Sequence, residues 1–289
     1  MKRRILAALA ALGLTATMAA GFAPAAYAAD PGGSPYVALG DSEAAGTGNL
    51  PYVDQSCLRS RKAYPAVLAG TLGTSVVSAA CAGAKTDDVL GQVAALSATG
   101  DLGPATRLVT LTAGINNFDW QAGLAACGEG GDPVACAQAL QAAALAVQAL
   151  PAKIGTLVGA IRAVAPNALI AVTGYPLVFG DVTTFCSLGA GPSGPVKLSA
   201  AQTSLANSFI QNVDTAVAAG VAGYQQLTGD PGVRFVDVAT GFDGHGLCDT
   251  GGRWISGLVS GKQTSDRGLH PNVPGQEAWA AIVAAAVMP

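Results

Sequence analysis

Histidine, basic residues and metal-ligand patterns are all scarce in this chain. Its 289 residues include two histidines, His245 and His270, and no C-x-x-C pair. A tetrahedral zinc site draws on Cys, His or carboxylate ligands at short, regular spacings, so no metal site is expected. The G-x-S-x-G nucleophile elbow does not occur, which argues against the α/β-hydrolase fold. No G-x-x-x-x-G-K-[ST] phosphate loop is found either, and no organic cofactor is expected. Charged residues make up 11% of the chain, with 15 Lys+Arg against 18 Asp+Glu and no basic stripe. Nucleic-acid binding is driven by neutralising phosphates, so an acidic chain of this kind is expected to have no nucleic-acid partner. No Pro/Ser linker, internal repeat or long charge run divides the sequence, and its length suits one domain with a large core.

The first residues do carry a positive cluster, Lys2-Arg3-Arg4, followed by an apolar run over residues 5–18 and then Ala26-Tyr27-Ala28. These are the three parts of a secretory signal peptide, with cleavage expected after Ala28 and a mature domain over residues 29–289. The competing reading, a membrane anchor, needs an apolar span of about 20 residues, and this run is shorter. Removing the segment takes away three basic residues and moves the formal charge from −3 to −6. The expected product is secreted, without a stable membrane anchor, and monomeric. Six cysteines, Cys57, Cys81, Cys127, Cys136, Cys186 and Cys248, all follow the signal segment. An even count in an exported chain favours three disulfides, for which fifteen pairings exist.

Apolar, β-branched runs at residues 36–39, 75–78, 108–112, 169–173 and 234–238 alternate with alanine-rich helical segments, notably 64–72, 135–164 and 200–227. Alternation of this kind predicts βαβ units, a mainly parallel five-stranded sheet and a three-layer α/β/α sandwich. Pro166-Asn167 ends the long second segment, and Pro151 is expected to kink or divide it. The glycine-rich tracts at 189–194 and 241–261 read as loops near the carboxyl ends of the strands, where such sheets bind ligands.

The first strand runs into Gly40-Asp41-Ser42 and then what reads as a small-residue loop, Glu43-Ala44-Ala45-Gly46. A serine at the carboxyl end of a buried strand is placed to act as a nucleophile; in isolation the same residue is more often a turn or helix-cap serine. Downstream lie Cys81-Ala82-Gly83, Gly114-Ile115-Asn116-Asn117 and Leu269-His270-Pro271-Asn272. Together these blocks resemble the GDSL or SGNH hydrolase superfamily, named for a serine, glycine, asparagine and histidine that map here onto Ser42, Gly83, Asn116 and His270. The resemblance runs from about Tyr36 to Glu277 and is strongest to the secreted bacterial lipases, esterases and phospholipases. It implies a flavodoxin-like SGNH hydrolase fold and the sequential disulfides Cys57–Cys81, Cys127–Cys136 and Cys186–Cys248. It also implies a carboxylic ester hydrolase acting on a small-molecule or lipid ester through an acyl-enzyme on Ser42.

Within that scheme His270 is the general base, since neutral imidazole titrates near pH ~6.5 and can accept a serine proton at neutral pH. His245, in a glycine-rich stretch beside Cys248, is the rival base or else a loop residue. The backbone amides of Ser42 and Gly83 and the side-chain amide of Asn116 would form the oxyanion hole. Taken singly, Gly83 is an ordinary turn glycine and Asn116 a strand-ending cap. Asp41 is expected to fix the nucleophile turn through backbone hydrogen bonds.

Two positions depart from the family pattern. Most relatives carry aspartate three residues before the histidine, where this chain has Arg267, with Asp266 one residue earlier. A Ser42–His270 dyad, oriented by a backbone carbonyl, is therefore the leading expectation, with Asp266 as third member the alternative. Asn117 stands where an aspartate commonly follows the oxyanion asparagine. A carbohydrate acetylesterase on the same fold, or a secreted glycan- or lipid-binding domain without turnover, are the other functional readings.

Overall fold

Strand-forming runs in this sequence settle into three sheets among the described residues. The computed structural model describes residues 32–128, 131–191, 194–258 and 265–288, all within the unit Pro31–Pro289. The predicted signal segment, residues 1–28, lies outside the described residues. In chain order the strands are β1 (Tyr36–Gly40), β2 (Tyr52–Asp54), β3 (Arg59–Ser60), β4 (Val76–Ser78), β5 (Leu108–Thr112), β6 (Leu169–Thr173), β7 (Phe185–Gly191), β8 (Gly194–Ser199) and β9 (Val233–Val236). The helices are α1 (Ser42–Ala45), α2 (Tyr64–Thr71), α3 (Thr86–Thr99), α4 (Trp120–Cys127), α5 (Pro133–Val164), α6 (Ala200–Thr228) and α7 (Val273–Val287).

The central sheet has the order β4-β1-β5-β6-β9, and every pair in it is parallel. A parallel sheet is covered by helices on both faces, which is why its strands read as continuous apolar runs. β1 and β5 are buried at every residue. α2 and α7 pack together, with the Tyr64 and Trp279 rings stacked at 5.1 Å, and contact β4, β6 and β9. α3, α5 and α6 pack as a second set that contacts β1 and β9. Hydroxyls inside pair with one another: Tyr64 Oη and Thr112 Oγ1 lie 2.8 Å apart, and Thr112 Oγ1 and Thr173 Oγ1 2.7 Å, whereas Trp279 Nε1 has no hydrogen-bond partner among the described residues.

All five core strands lie where the apolar runs placed them, except that the last spans Val233–Val236 rather than 234–238. Other expectations need correction. α3 was not anticipated, although Asp87 and Asp88 in its first turn are a helix-start signal. The last helix, expected near residues 277–287 after a small-residue loop over 273–275, is α7 and begins already at Val273, where Asn272 caps it by accepting from Gly275 N at 3.1 Å. Pro151 does not divide α5, which runs continuously through it. Residues 189–191 lie on β7 and Gly194 on β8, two antiparallel paired strands, rather than in a loop, and Gly189 bridges to Leu258. Gly189, Gly191 and Gly194 have the spacing of a dinucleotide-binding turn, but they lie on two paired antiparallel strands, whereas that turn joins a strand to a helix. α5 is long and apolar enough to cross a membrane by length and composition, and here it packs on α3, α4 and α6.

Cys57–Cys81, Cys127–Cys136 and Cys186–Cys248 are all joined, the sequential pairing that the resemblance implied.

Candidate active site

In a sheet of this order the connections leave β1 and β5 toward opposite faces, so a crevice opens between their carboxyl ends. Ser42 follows β1 and Asn116 follows β5. Gly40 ends β1 at φ +144°, where any Cβ would collide with the Thr112 carbonyl oxygen, so the chain turns here only with glycine. Its backbone is clamped on both sides by Gln92 of α3, which accepts from Gly40 N at 2.9 Å and donates to Gly40 O at 2.8 Å.

Ser42 opens the short helix α1, so the stretch after it is helical rather than loop, closed by Gly46 in the left-handed region. Asp41 is the cap: one carboxylate oxygen accepts from Glu43 N at 3.1 Å, the other from Tyr175 Oη at 2.6 Å. Ser42 itself is 8% exposed, enough for a small reacting group to reach it but shielded from bulk water.

Gly83 sits in the turn closed by Ala84 N donating to Cys81 O, and the Cys57–Cys81 bridge holds that turn against β1 through Cys81 N to Gly40 O. Its φ of +78° accounts for glycine there, and a Cβ would meet nothing within 4 Å, so its face is open to a ligand. Asn116 lies in the 3-10 turn Ile115–Asn117 and donates from Nδ2 to Ala84 O at 3.2 Å. That bond ties the asparagine block to the glycine block and leaves the second amide hydrogen for another acceptor. Among the described residues, neither Ser42 N–H nor Gly83 N–H has an acceptor. Asn117 faces the other way, accepting from Thr86 N at 3.1 Å and donating to Thr86 Oγ1 at 2.8 Å, which pins the start of α3.

His270 comes from the far end of the chain and is carried to the Ser42 loop by a set of hydrogen bonds. Asn49 Nδ2 donates to both Gly46 O and Pro271 O, and Gln276 Nε2 donates to Glu43 O while its Oε1 accepts from Tyr64 N. The imidazole Nδ1 lies 3.0 Å from Gly268 O, which assigns the proton to Nδ1 and leaves the Nε2 lone pair free. Burial holds the His270 pKa below its ordinary value, so the ring stays neutral. No Ser42 Oγ–His270 hydrogen bond is formed among the described residues; such contacts in unliganded hydrolases commonly tighten only with substrate.

Asp266 is close enough to pull the His270 pKa upward against the larger effect of burial, but its carboxylate accepts from Tyr52 Oη. Arg267 contributes its backbone, with Arg267 O accepting from His270 N at 3.1 Å and its Cα packed against Gly48. His245 is engaged locally: Nδ1 is 2.6 Å from Gly252 O and the ring stacks on Trp254 with centroids 3.6 Å apart.

Tyr175, Gln92, Asn49, Gln276 and Asp214 were missed by sequence reasoning. Only Gly174-Tyr175-Pro176, directly after β6, carried a signal, because residues just beyond a strand's carboxyl end line the crevice. Beneath the site lie buried carboxyls. Burial pushes Asp41 up to about 7 and Asp214 up to about 8. Glu43 is raised well above the carboxylate range by burial and then by the neighbouring Asp41. Among the described residues no three His, Cys, Asp or Glu side chains gather as a metal site.

Comparison with known proteins finds relatives along most of the chain. Residues 38–278 match the GDSL-like Lipase/Acylhydrolase family. The chain is 34% identical over 269 residues to a lipase of Streptomyces rimosus, covering 92% of this chain and 89% of that one. It is 32% identical to Lipase 1 of Streptomyces coelicolor, covering 94% of each. Among solved structures it resembles phospholipase A1 from Streptomyces albidoflavus (TM-score 0.69, 26% identity, 89% of this chain and 99% of that one). It also resembles the extracellular lipase of Streptomyces rimosus (TM-score 0.67, 31% identity, 87% and 99%).

Proposed function

Because this chain belongs to the GDSL-like lipase/acylhydrolase family and is an ester hydrolase of the lipase/esterase type, we propose that Ser42 is its nucleophile and His270 its general base. Ser42 Oγ attacks the acyl carbonyl while its proton passes to His270 Nε2, and the Nδ1–H stays on the Gly268 carbonyl. The carbonyl oxygen becomes an oxyanion that accepts from Ser42 N–H, Gly83 N–H and Asn116 Nδ2–H. Collapse of the tetrahedral intermediate transfers the proton from His270 to the departing alcohol and leaves the acyl group on Ser42. Water, deprotonated by His270, then attacks the acyl-enzyme and releases the acid and the free serine.

The observation that carries this reading is the Asn116 Nδ2 bond to Ala84 O, which joins two of the donor blocks at the crevice where Ser42 sits. The substrate we assign is an acyl ester of a lipid or small molecule, in line with the names of its relatives, a lipase and a phospholipase A1. Residues 1–28 are assigned as an export signal preceding a single monomeric domain. Three disulfides support an extracellular setting.

The test is labelling of the purified chain by a fluorophosphonate, with peptide mass mapping, alongside a panel of esters from acetyl to long acyl chains. Adduct on Ser42 and turnover of the longer esters are expected. Preference for acetylated polysaccharide would move the assignment to a carbohydrate acetylesterase, and no labelling of the folded chain would make it a binding domain. Ser42→Ala and His270→Ala should each abolish most turnover, with the double variant little worse than either.

A further inference from the structure

Three loops converge on one buried hydroxyl. Tyr175, two residues beyond β6 and 2% exposed, donates from Oη to Asp41 Oδ2 at 2.6 Å and accepts from Ile115 N at 3.2 Å. Asp41 immediately precedes Ser42, and Ile115 immediately precedes Asn116. The tyrosine is fixed in turn from its own backbone, because Tyr175 N donates to Asp214 Oδ1 of α6 at 2.8 Å and Gly174 N to Val236 O at 3.0 Å.

We propose that Tyr175 is a positioning residue that sets the separation between the nucleophile turn and the asparagine turn, and with it the spacing of the oxyanion donors. This rests on the roles proposed above for Ser42 and Asn116. The physical reason is tolerance: prepositioned donors act only when held within about 0.5 Å of the productive geometry. Ser42 N is attached to Asp41 and Asn116 to Ile115, so the hydroxyl is one residue from each donor and braces both. No other described side chain hydrogen-bonds to both of these turns. Asp41 cannot supply the brace alone, since its second oxygen is spent on Glu43 N within its own turn. Gln92 holds β1's end to α3 and the Asn116–Ala84 bond holds the asparagine to the glycine block, but neither links the asparagine turn to the nucleophile turn. Because Tyr175 is buried, its loss acts on the transition state through donor placement and leaves substrate binding intact.

The experiment compares the full chain with Tyr175→Phe, Asn116→Ala and the double variant on p-nitrophenyl butyrate, with melting temperature recorded for each. Phenylalanine keeps the ring and removes only the brace. A fall in kcat of about 10–100-fold with KM within about two-fold is expected, the scale of a small misplacement of reacting groups. The two losses should combine less than multiplicatively, because Tyr175 acts in part through Asn116. A lower melting temperature with kcat unchanged, or losses that multiply fully, would overturn the proposal. Should Tyr175→Phe fail to fold, Asp41→Asn weakens the same bond from its other end, and an unchanged kcat there overturns it equally. The underlying assignment fails differently, through turnover that survives Ser42→Ala.

Discussion

His270 is oriented by its own chain: Nδ1 lies 3.0 Å from the carbonyl oxygen of Gly268, two residues back. A carbonyl needs no particular side chain, so the arginine at position 267 does not by itself argue against His270 as the proposed base. Gly268 O fixes the tautomer, and burial keeps the ring neutral.

Replacing Asp266 by asparagine should therefore cost less than about ten-fold in kcat, because the Gly268 carbonyl stays in place and Asp266 is engaged with Tyr52. Where a true triad aspartate is changed to asparagine, the loss is about 10⁴-fold. Steady-state kinetics of Asp266→Asn decides the matter, and a loss of that size with the circular dichroism spectrum intact would make the site a triad.

Adjacent asparagines should separate cleanly. Asn116→Ala is expected to lower kcat by about 10²-fold with a smaller change in KM, as loss of a transition-state donor does. Asn117→Ala removes the tie to Thr86 and should cost about 1 kcal/mol of stability, as loss of a helix cap does, with little change in kcat. Asn117→Asp retains the acceptor for Thr86 N and should recover most of that stability. Denaturant melts and kinetics on the three variants check the pair; a kcat loss for Asn117→Ala as large as that of Asn116→Ala would refute the division.

Stability should fall as pH rises through neutrality. Asp41, Glu43 and Asp214 have folded-state pKa values raised by burial, to about 7 for Asp41 and about 8 for Asp214. Between their ordinary values near 4 and these folded values the native state binds more protons than the unfolded chain, so the slope of stability with pH is negative. His270 works the other way: its lowered pKa withdraws stability as pH falls below about 6.5. The melting temperature should consequently be higher at pH 5.5 than at pH 8.5, and Asp214→Asn should flatten the slope. An equal or higher melting temperature at pH 8.5 contradicts this. On the catalytic side, the acid limb of kcat/KM should have its midpoint below pH 6.5, because the base works only when unprotonated.

Reduction should destabilise the protein, since a bridge closing a loop contributes about 2–4 kcal/mol. Cys57–Cys81 also holds the Gly83 turn to β1, so Cys57→Ala with Cys81→Ala should lower kcat as well as stability. Cys127→Ala with Cys136→Ala, on α4 and α5, should affect stability alone. Peptide mapping of the unreduced chain, followed by melts and kinetics on both double variants, tests this; equal catalytic loss in the two would disconnect the bridge from the site.

The sequence by itself determined the central sheet, and it supplied the four blocks from which the site is proposed. Parallel strands covered on both faces must be apolar throughout, so 36–39, 108–112 and 169–173 were legible as short runs without reference to anything distant. Ser42 and Asn116 could be proposed from the sequence because each stands just past such a run. α3 was less so: Gly91 interrupts it, and Lys85 occupies the cap position where Ser, Thr, Asp or Asn would announce a start. Its first amide, Thr86 N, is satisfied from outside by Asn117. Only the tertiary structure decided which way Asp266 turns, that Gly189 and Gly194 lie on paired strands, and that Tyr175 joins two turns 134 and 60 residues away in sequence. Those facts depend on which hydrogen-bond partner is nearest once distant segments pack. A single polar residue carries no periodicity, so nothing in the local sequence distinguishes a solvated hydroxyl from one that braces a site.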